Sequence, residues 1–303
     1  MNTMFQVPVL LVIYNRVDET HTLFQAVKDV KPSKLYVAAD GANPKIKLDY
    51  VNCLRTRSVI MPEWECDMKT LFKEEHTGKS KMIHQAISWF FEQEEEGIVL
   101  FDDTIPNVDF FHYCEYMLEK YRNTPQIMHI GANFLHKKLK GDTFSYFFSA
   151  YAYTWGFATW KRTWKYFDLK MTELEDTNVE EIITKYATRL KEKSYWMRVY
   201  NSLKKYRLDY WEYQYNFHIW VHDGLCVSPN VNLVKNIGFK NRKKRIRRLM
   251  KDTSNIMPLR EPNEIVRNIR VDKYIFKKVY KRAFYRIFFD WFNAVVLGME
   301  KKI

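Results

Sequence analysis

An apolar run, Gly97-Ile-Val-Leu-Phe101, ends abruptly on two adjacent carboxylates, Asp102 and Asp103, ahead of Pro106 and an amphipathic stretch over 108–121. So short a run reads as a buried strand. Carboxylates at the carboxyl end of such a strand lie where open α/β sheets bind ligands. Their oxygens are hard donors, suited to Mg²⁺ or Mn²⁺ bridging a diphosphate. The same two residues would serve equally as caps for the helix beginning near Val108, and the pair alone does not decide. No other metal pattern is read from the chain. The histidines are read as unclustered, and His129, inside an apolar run, as a core residue. Four widely spaced cysteines, Cys53, Cys66, Cys114 and Cys226, each lie in an apolar context and read as small core residues of a reducing compartment.

The elements that must position these groups follow from periodicity. Over the first 135 residues strand-like runs are expected at 7–14, 34–39, 66–72, 98–101 and 127–130. Between them, helical patterns are expected at 18–30, from Pro44 with Val51 and Leu54 on one face, around Met82, Ile83, Ala86, Ile87 and Phe90, and over 108–121. This alternation predicts an α/β fold with a mostly parallel central sheet and helices on both faces. Further on, 144–168 packs many aromatics among few charges, and 176–193 reads as a charged helix. Residues 224–238 read as a turn, a short strand over 225–227 and an asparagine-rich loop.

The chain carries a net charge of +13, which invites a nucleic-acid reading until it is divided along the sequence. Residues 239–303 hold 19 of the 49 Lys and Arg but only 6 of the 36 Asp and Glu, so residues 1–238 hold 30 of each and balance. Two units are therefore expected: a body over 1–239 and a basic, aromatic-rich helical tail over 240–303. The tail holds a basic run over 240–248 and an amphipathic stretch over 274–297. That stretch reads either as a helix lying on an anionic membrane surface or as one docked on the body. Nucleic acid is not an expected partner, because no recognition motif accompanies the basic run. No stretch approaches the ~20 apolar residues of a membrane span, so the expected location is cytoplasmic, peripheral at the inner face of the plasma membrane if the tail binds lipid.

Seven segments, in order, resemble the bacterial nucleotide-diphospho-sugar transferase family of the GT-A fold: PVLLVIYNR (8–16), AADG (38–41), GIVLFDD (97–103), IMHIGANF (127–134), WGFATW (155–160), WEYQY (211–215) and PNVNLVKNIGF (229–239). The likeness extends more loosely to inverting N-acetylglucosaminyltransferases with a Glu-Asp-Asp motif. It implies a metal-dependent hexosyltransferase of surface polysaccharide synthesis. Such an enzyme moves a sugar, with inversion, from a UDP-linked donor to a saccharide or lipid-linked acceptor.

By that resemblance Asn15, Arg16 and Asp40 meet the nucleotide base and ribose, and Lys79 and Lys81 meet the diphosphate. Asp103 touches the cation, Mn²⁺ or Mg²⁺, and Asp102 the donor sugar or ribose. Glu212 is the general base that takes the acceptor hydroxyl's proton, with Asp209 as its substitute; relatives carry an aspartate at the place of Glu212. Each has a plainer reading: Asp40-Gly41 as a turn, Lys79 and Lys81 as a solvated helix start, and Glu212 as a surface charge. Trp155, Trp160 and Trp211 present faces for sugar rings, with Trp160 and Trp164 favoured as core. The chain departs from the family at Phe101, where relatives have the first acid of the motif. That departure motivates two alternatives: a nucleotide-sugar-binding protein with weakened turnover, and a basic membrane or nucleic-acid surface adaptor.

Overall fold

Branched and aliphatic side chains make β1 (Val9–Ile13), β2 (Lys34–Ala39) and β4 (Glu96–Phe101) almost continuously apolar, and nearly all of these residues are buried. Strands apolar on both faces need cover on both faces. The computed structural model, which describes residues 4–134, 144–206, 210–238 and 253–280, shows that cover. Alternate residues of one strand feed opposite cores. Leu10, Val12, Tyr36, Ala38 and Val99 face one, with α3 (Lys79–Gln93). Val9, Leu11, Leu35, Val37, Ile98 and Leu100 face the other, with α1 (Val17–Lys28) and α4 (Val108–Tyr121).

The eight-stranded sheet runs β3-β2-β1-β4-β8-β6-β9-β7. Its first four strands, with β3 at Asp67–Phe72, are parallel and follow the expected pattern. The aromatic stretch over 144–168, for which no strand is expected, supplies β7 (Tyr146–Ser149) and β8 (Phe157–Trp160). Both are antiparallel to their neighbours, β8 lying between β4 and β6 (Ile127–Gly131) and β7 against β9 (Leu225–Pro229). The sheet is thus mixed. A second, two-stranded ladder pairs β5 (Thr104–Pro106) with β10 (Val234–Asn236).

Helix boundaries differ from expectation in two places. α2 spans Asp49–Ser58, and Val51 and Leu54 are exposed; its inner face is Asp49, Cys53 and Thr56. The expected single helix over 176–193 is two, α6 (Val179–Tyr186) and the start of α7 (Leu190–Tyr206). They are joined where Glu192 accepts from the Thr188 amide. The four-residue α5 (Lys161–Trp164) and a 3₁₀ turn at Thr172–Leu174 precede them, and α8 (Trp211–Val221) follows.

The described part of the tail, 253–280, contacts the body. The Ile256 amide donates to Asp109, and Glu261 binds Tyr116 and Lys120. In α9 (Ile269–Ile275), Val271 and Ile275 are fully buried, and Asp272 accepts from Ser149 Oγ and the Ala150 amide. A single π turn, Phe276–Tyr280, follows. The basic run over 240–248 lies outside the described residues, as does the amphipathic stretch beyond 280.

Histidine 129 is the core residue expected. It is fully buried, stacked on Phe157, with Nε2 3.0 Å from the Tyr153 carbonyl. Burial pushes its pKa down to about 3 from 6.5. The folded protein therefore binds fewer protons than the unfolded chain between those values, and stability is lost as pH falls below 6.5 toward 3, by about 1.4 kcal/mol per pH unit. His129→Gln should flatten that acid limb in urea melts at pH 4.5 to 7. A limb as steep as the parent's would assign it to other groups.

Candidate functional site

Strand order places a crevice. From β1 the sheet continues one way to β2 and β3 and the other way to β4, so the carboxyl ends of β1 and β4 flank a topological switch point, where open α/β sheets bind ligands. Arg16 leaves the end of β1 and Asp102-Asp103 leave the end of β4. Arg16 Nη1 lies 2.9 Å from Asp103 Oδ2 and 3.5 Å from Asp102 Oδ1. The two aspartates form the turn between β4 and β5, closed by Thr104, whose Oγ1 accepts from the Phe101 amide and donates to its carbonyl. They do not cap α4; Asn107 does, accepting from the Phe110 amide.

The pair is asymmetric. Asp102 is the more enclosed, and burial pushes its carboxyl up to about 7, outweighing the attraction of Arg16. Asp103 is more open, and the β10 end wraps it. The Ile237 amide donates to its carbonyl at 2.8 Å, and Asn236 Nδ2 lies 3.4 Å from Oδ1. A Cβ at Gly238 would fall 2.1 Å from Asp103 Oδ2, so a side chain there would displace the carboxylate. One open and one enclosed carboxylate, with a guanidinium holding the place of a positive charge, fit a hard divalent cation that draws its remaining oxygens from a diphosphate.

Glu212 approaches from the other side. The Phe101 ring, at the end of β4, packs on Trp211 with centroids 6.1 Å apart. This contact docks the first turn of α8 on the end of β4. Glu212 Oε1 then lies 3.0 Å from Nζ of Lys79, the first residue of α3. Both side chains reach solvent, so the pair is worth on the order of 0–1 kcal/mol and is readily exchanged for a ligand. Lys81, two positions further along α3, is exposed. Asp209 lies outside the described residues.

Asp40 and Asn15 are engaged within the protein. Asp40 accepts from the amides of Gly41, Thr77 and Gly78 and from Thr77 Oγ1, with His76 Nδ1 2.9 Å away. It holds the turn that starts α3, where Gly78 has φ +89°. Asn15 and Tyr14 both donate to Asp49 at 2.5 Å. Burial raises the Asp49 carboxyl, and these bonds more than reverse it, leaving it below its usual range. Asp40 and Asp49 are both buried and serve to tie these turns together. Trp160, Trp164 and Trp211 are core, and Trp155 is half-buried.

Sequence reasoning missed Asn236 and Gly238, although the resemblance ended on their segment. It also read the histidines as unclustered, which is a correction: His218 on α8 and His222, the residue that caps its end, both meet Glu173. The spacing was visible in the sequence; the partner, 45 residues away, was not.

No protein-family model matches the chain, and no curated protein matches it. Among solved structures it is similar to a mannosyltransferase from Pyrobaculum calidifontis in complex with GDP-Man and Mn²⁺. The identity is 9% and the TM-score 0.38, over 72% of this chain and 70% of that one. A likeness so distant says nothing of the site. No helix among the described residues is long and apolar enough to cross a membrane.

Proposed function

We propose that the chain is a glycosyltransferase of the GT-A type that moves a sugar from a nucleotide-sugar donor, UDP-linked, to a saccharide or lipid-linked acceptor with inversion. One observation carries the reading: Asp102 and Asp103 meet Arg16 across the β1/β4 switch point, with Glu212 brought to the same strand end by the Phe101–Trp211 contact. Asp103 is the protein's carboxylate for Mn²⁺ or Mg²⁺, which when bound stabilises the departing diphosphate as a Lewis acid. Asp102, enclosed and held near Arg16, orients the donor. Arg16 leaves Asp103 on loading and turns to the diphosphate, an anion a guanidinium binds well. Lys79 releases Glu212, which takes the proton of the acceptor hydroxyl as that oxygen attacks the anomeric carbon. A single displacement needs no protein nucleophile, and none is assigned.

Thermal melts of the full chain with UDP, GDP, CMP and dTDP, in Mn²⁺ and in chelator, test the reading. One nucleotide should raise the melting point in Mn²⁺, by about 2.7 kcal/mol of stability at a hundredfold excess over Kd. Asp103→Ala should abolish the metal-dependent part. No shift with any of the four, or an undiminished shift in Asp103→Ala, would remove the assignment.

A further inference from the structure

The C-terminal half of α8 holds a second constellation, unused by the crevice chemistry. His218 is 1% exposed, and its Nε2 lies 2.8 Å from the Thr163 carbonyl. A carbonyl only accepts, so Nε2 carries a proton. In a neutral ring Nδ1 then bears the lone pair, yet it faces Glu173 Oε1 at 2.7 Å. The other carboxylate oxygen, Oε2, lies 2.9 Å from His222 Nε2. Two acceptors held face to face, one of them on a buried ring, need a positive charge between them, either a proton or a metal.

We propose that Glu173, His218 and His222 form a site for a Zn²⁺-like divalent transition metal, with solvent in a fourth position. Their donor atoms all lie within 4.8 Å of one another. Donors around a tetrahedral ion at 2.0–2.2 Å are about 3.3 Å apart, so closing on one ion takes shifts of a few tenths of an ångström to about 1.5 Å. His222 caps the helix four residues after His218, the sequence spacing of paired zinc ligands. The Nε2–H bond to Thr163 is the contact that fixes the tautomer and orientation of a ligating imidazole. Aromatic rings enclose the pair: Phe167 and Tyr215 lie against His218, and Tyr166 stacks on His222.

Two nitrogens and one oxygen suit zinc, whereas magnesium and manganese favour oxygen donors. This centre is also separate from Asp103. Its histidines lie roughly 9 and 15 Å along the helix from Glu212, at 1.5 Å per residue. The ion would staple the turn at Thr172–Leu174 to α8, and so fix the helix that carries Glu212.

The test uses the full chain, stripped with chelator and titrated with ZnCl₂ by calorimetry. Co²⁺ absorption gives a second, geometric readout. One equivalent of Zn²⁺ is expected to bind, with visible ligand-field bands for Co²⁺. His222→Ala, at a half-exposed position that tolerates truncation, and Glu173→Gln should each weaken binding by more than the about 10–100-fold that outer-shell changes cost. Asp103→Ala should leave it unchanged, which separates this site from the crevice. If the parent binds no more Zn²⁺ than His222→Ala does, the charge between the rings is a proton, and the proposal fails.

Discussion

Glu212→Gln is expected to lower sugar transfer by about 10²–10⁴-fold, the usual contribution of a positioned general base, while nucleotide binding and the melting point stay at parental values. The separation is the informative part. Glu212 gives up only an exposed ion pair with Lys79, worth on the order of 0–1 kcal/mol, and Gln keeps the shape that lets Trp211 pack on Phe101. Lys79→Ala frees the carboxylate without removing it, so a loss comparable to that of Glu212→Gln is not expected. Single-turnover transfer from a radiolabelled nucleotide-sugar, with nucleotide affinity measured in parallel, reads both quantities. Undiminished transfer by Glu212→Gln would take the base away from α8. Nucleotide binding by the parent with no transfer to any acceptor would instead make the crevice a binding site.

The parallel half of the sheet was legible because its strands are buried on both faces and read as short apolar runs between helical periods. The site's centre was legible for the same reason: β4 stops on Asp102-Asp103, and the end of a buried strand is a place with few structures to choose from. What the chain hid were contacts between distant segments. β7 and β8 lack the polar alternation of a strand, since their side chains serve a core on each side. The exposure of Val51 and Leu54 on α2 follows from Asp49, whose carboxylate is spent on Tyr14, Asn15 and the Asn43 amide. A polar residue thus took the inner face, and periodicity of apolar residues could not report it. Likewise Asp40 looked like a ligand and is held by a turn 37 residues away.

Removing residues 253–303 is expected to abolish the cooperative melt rather than trim an appendage. Several side chains of the described part of the tail are packed into the core. Val271 and Ile275 are fully buried and Tyr280 nearly so, and burial of each such side chain stabilises by about 1.5–3 kcal/mol. Asp272, also fully buried, accepts from Ser149 Oγ at 2.6 Å, the Ala150 amide at 3.1 Å and Arg267 Nε at 2.6 Å. Without it the Ser149 and Ala150 donors stay in the core unpaired, at about 1–3 kcal/mol each. The sum approaches the 5–15 kcal/mol typical of a whole domain, so the shortened chain has little left to fold with. Asp272→Ala isolates the polar part. Breaking a buried ion pair from one side costs about 3–5 kcal/mol, a drop of roughly 10 °C in melting point for a chain of this size. Calorimetry of both variants decides the matter. A chain of residues 1–252 that melts cooperatively near the parental temperature would show that the body folds without α9, and the tail would again be free to serve as a surface anchor.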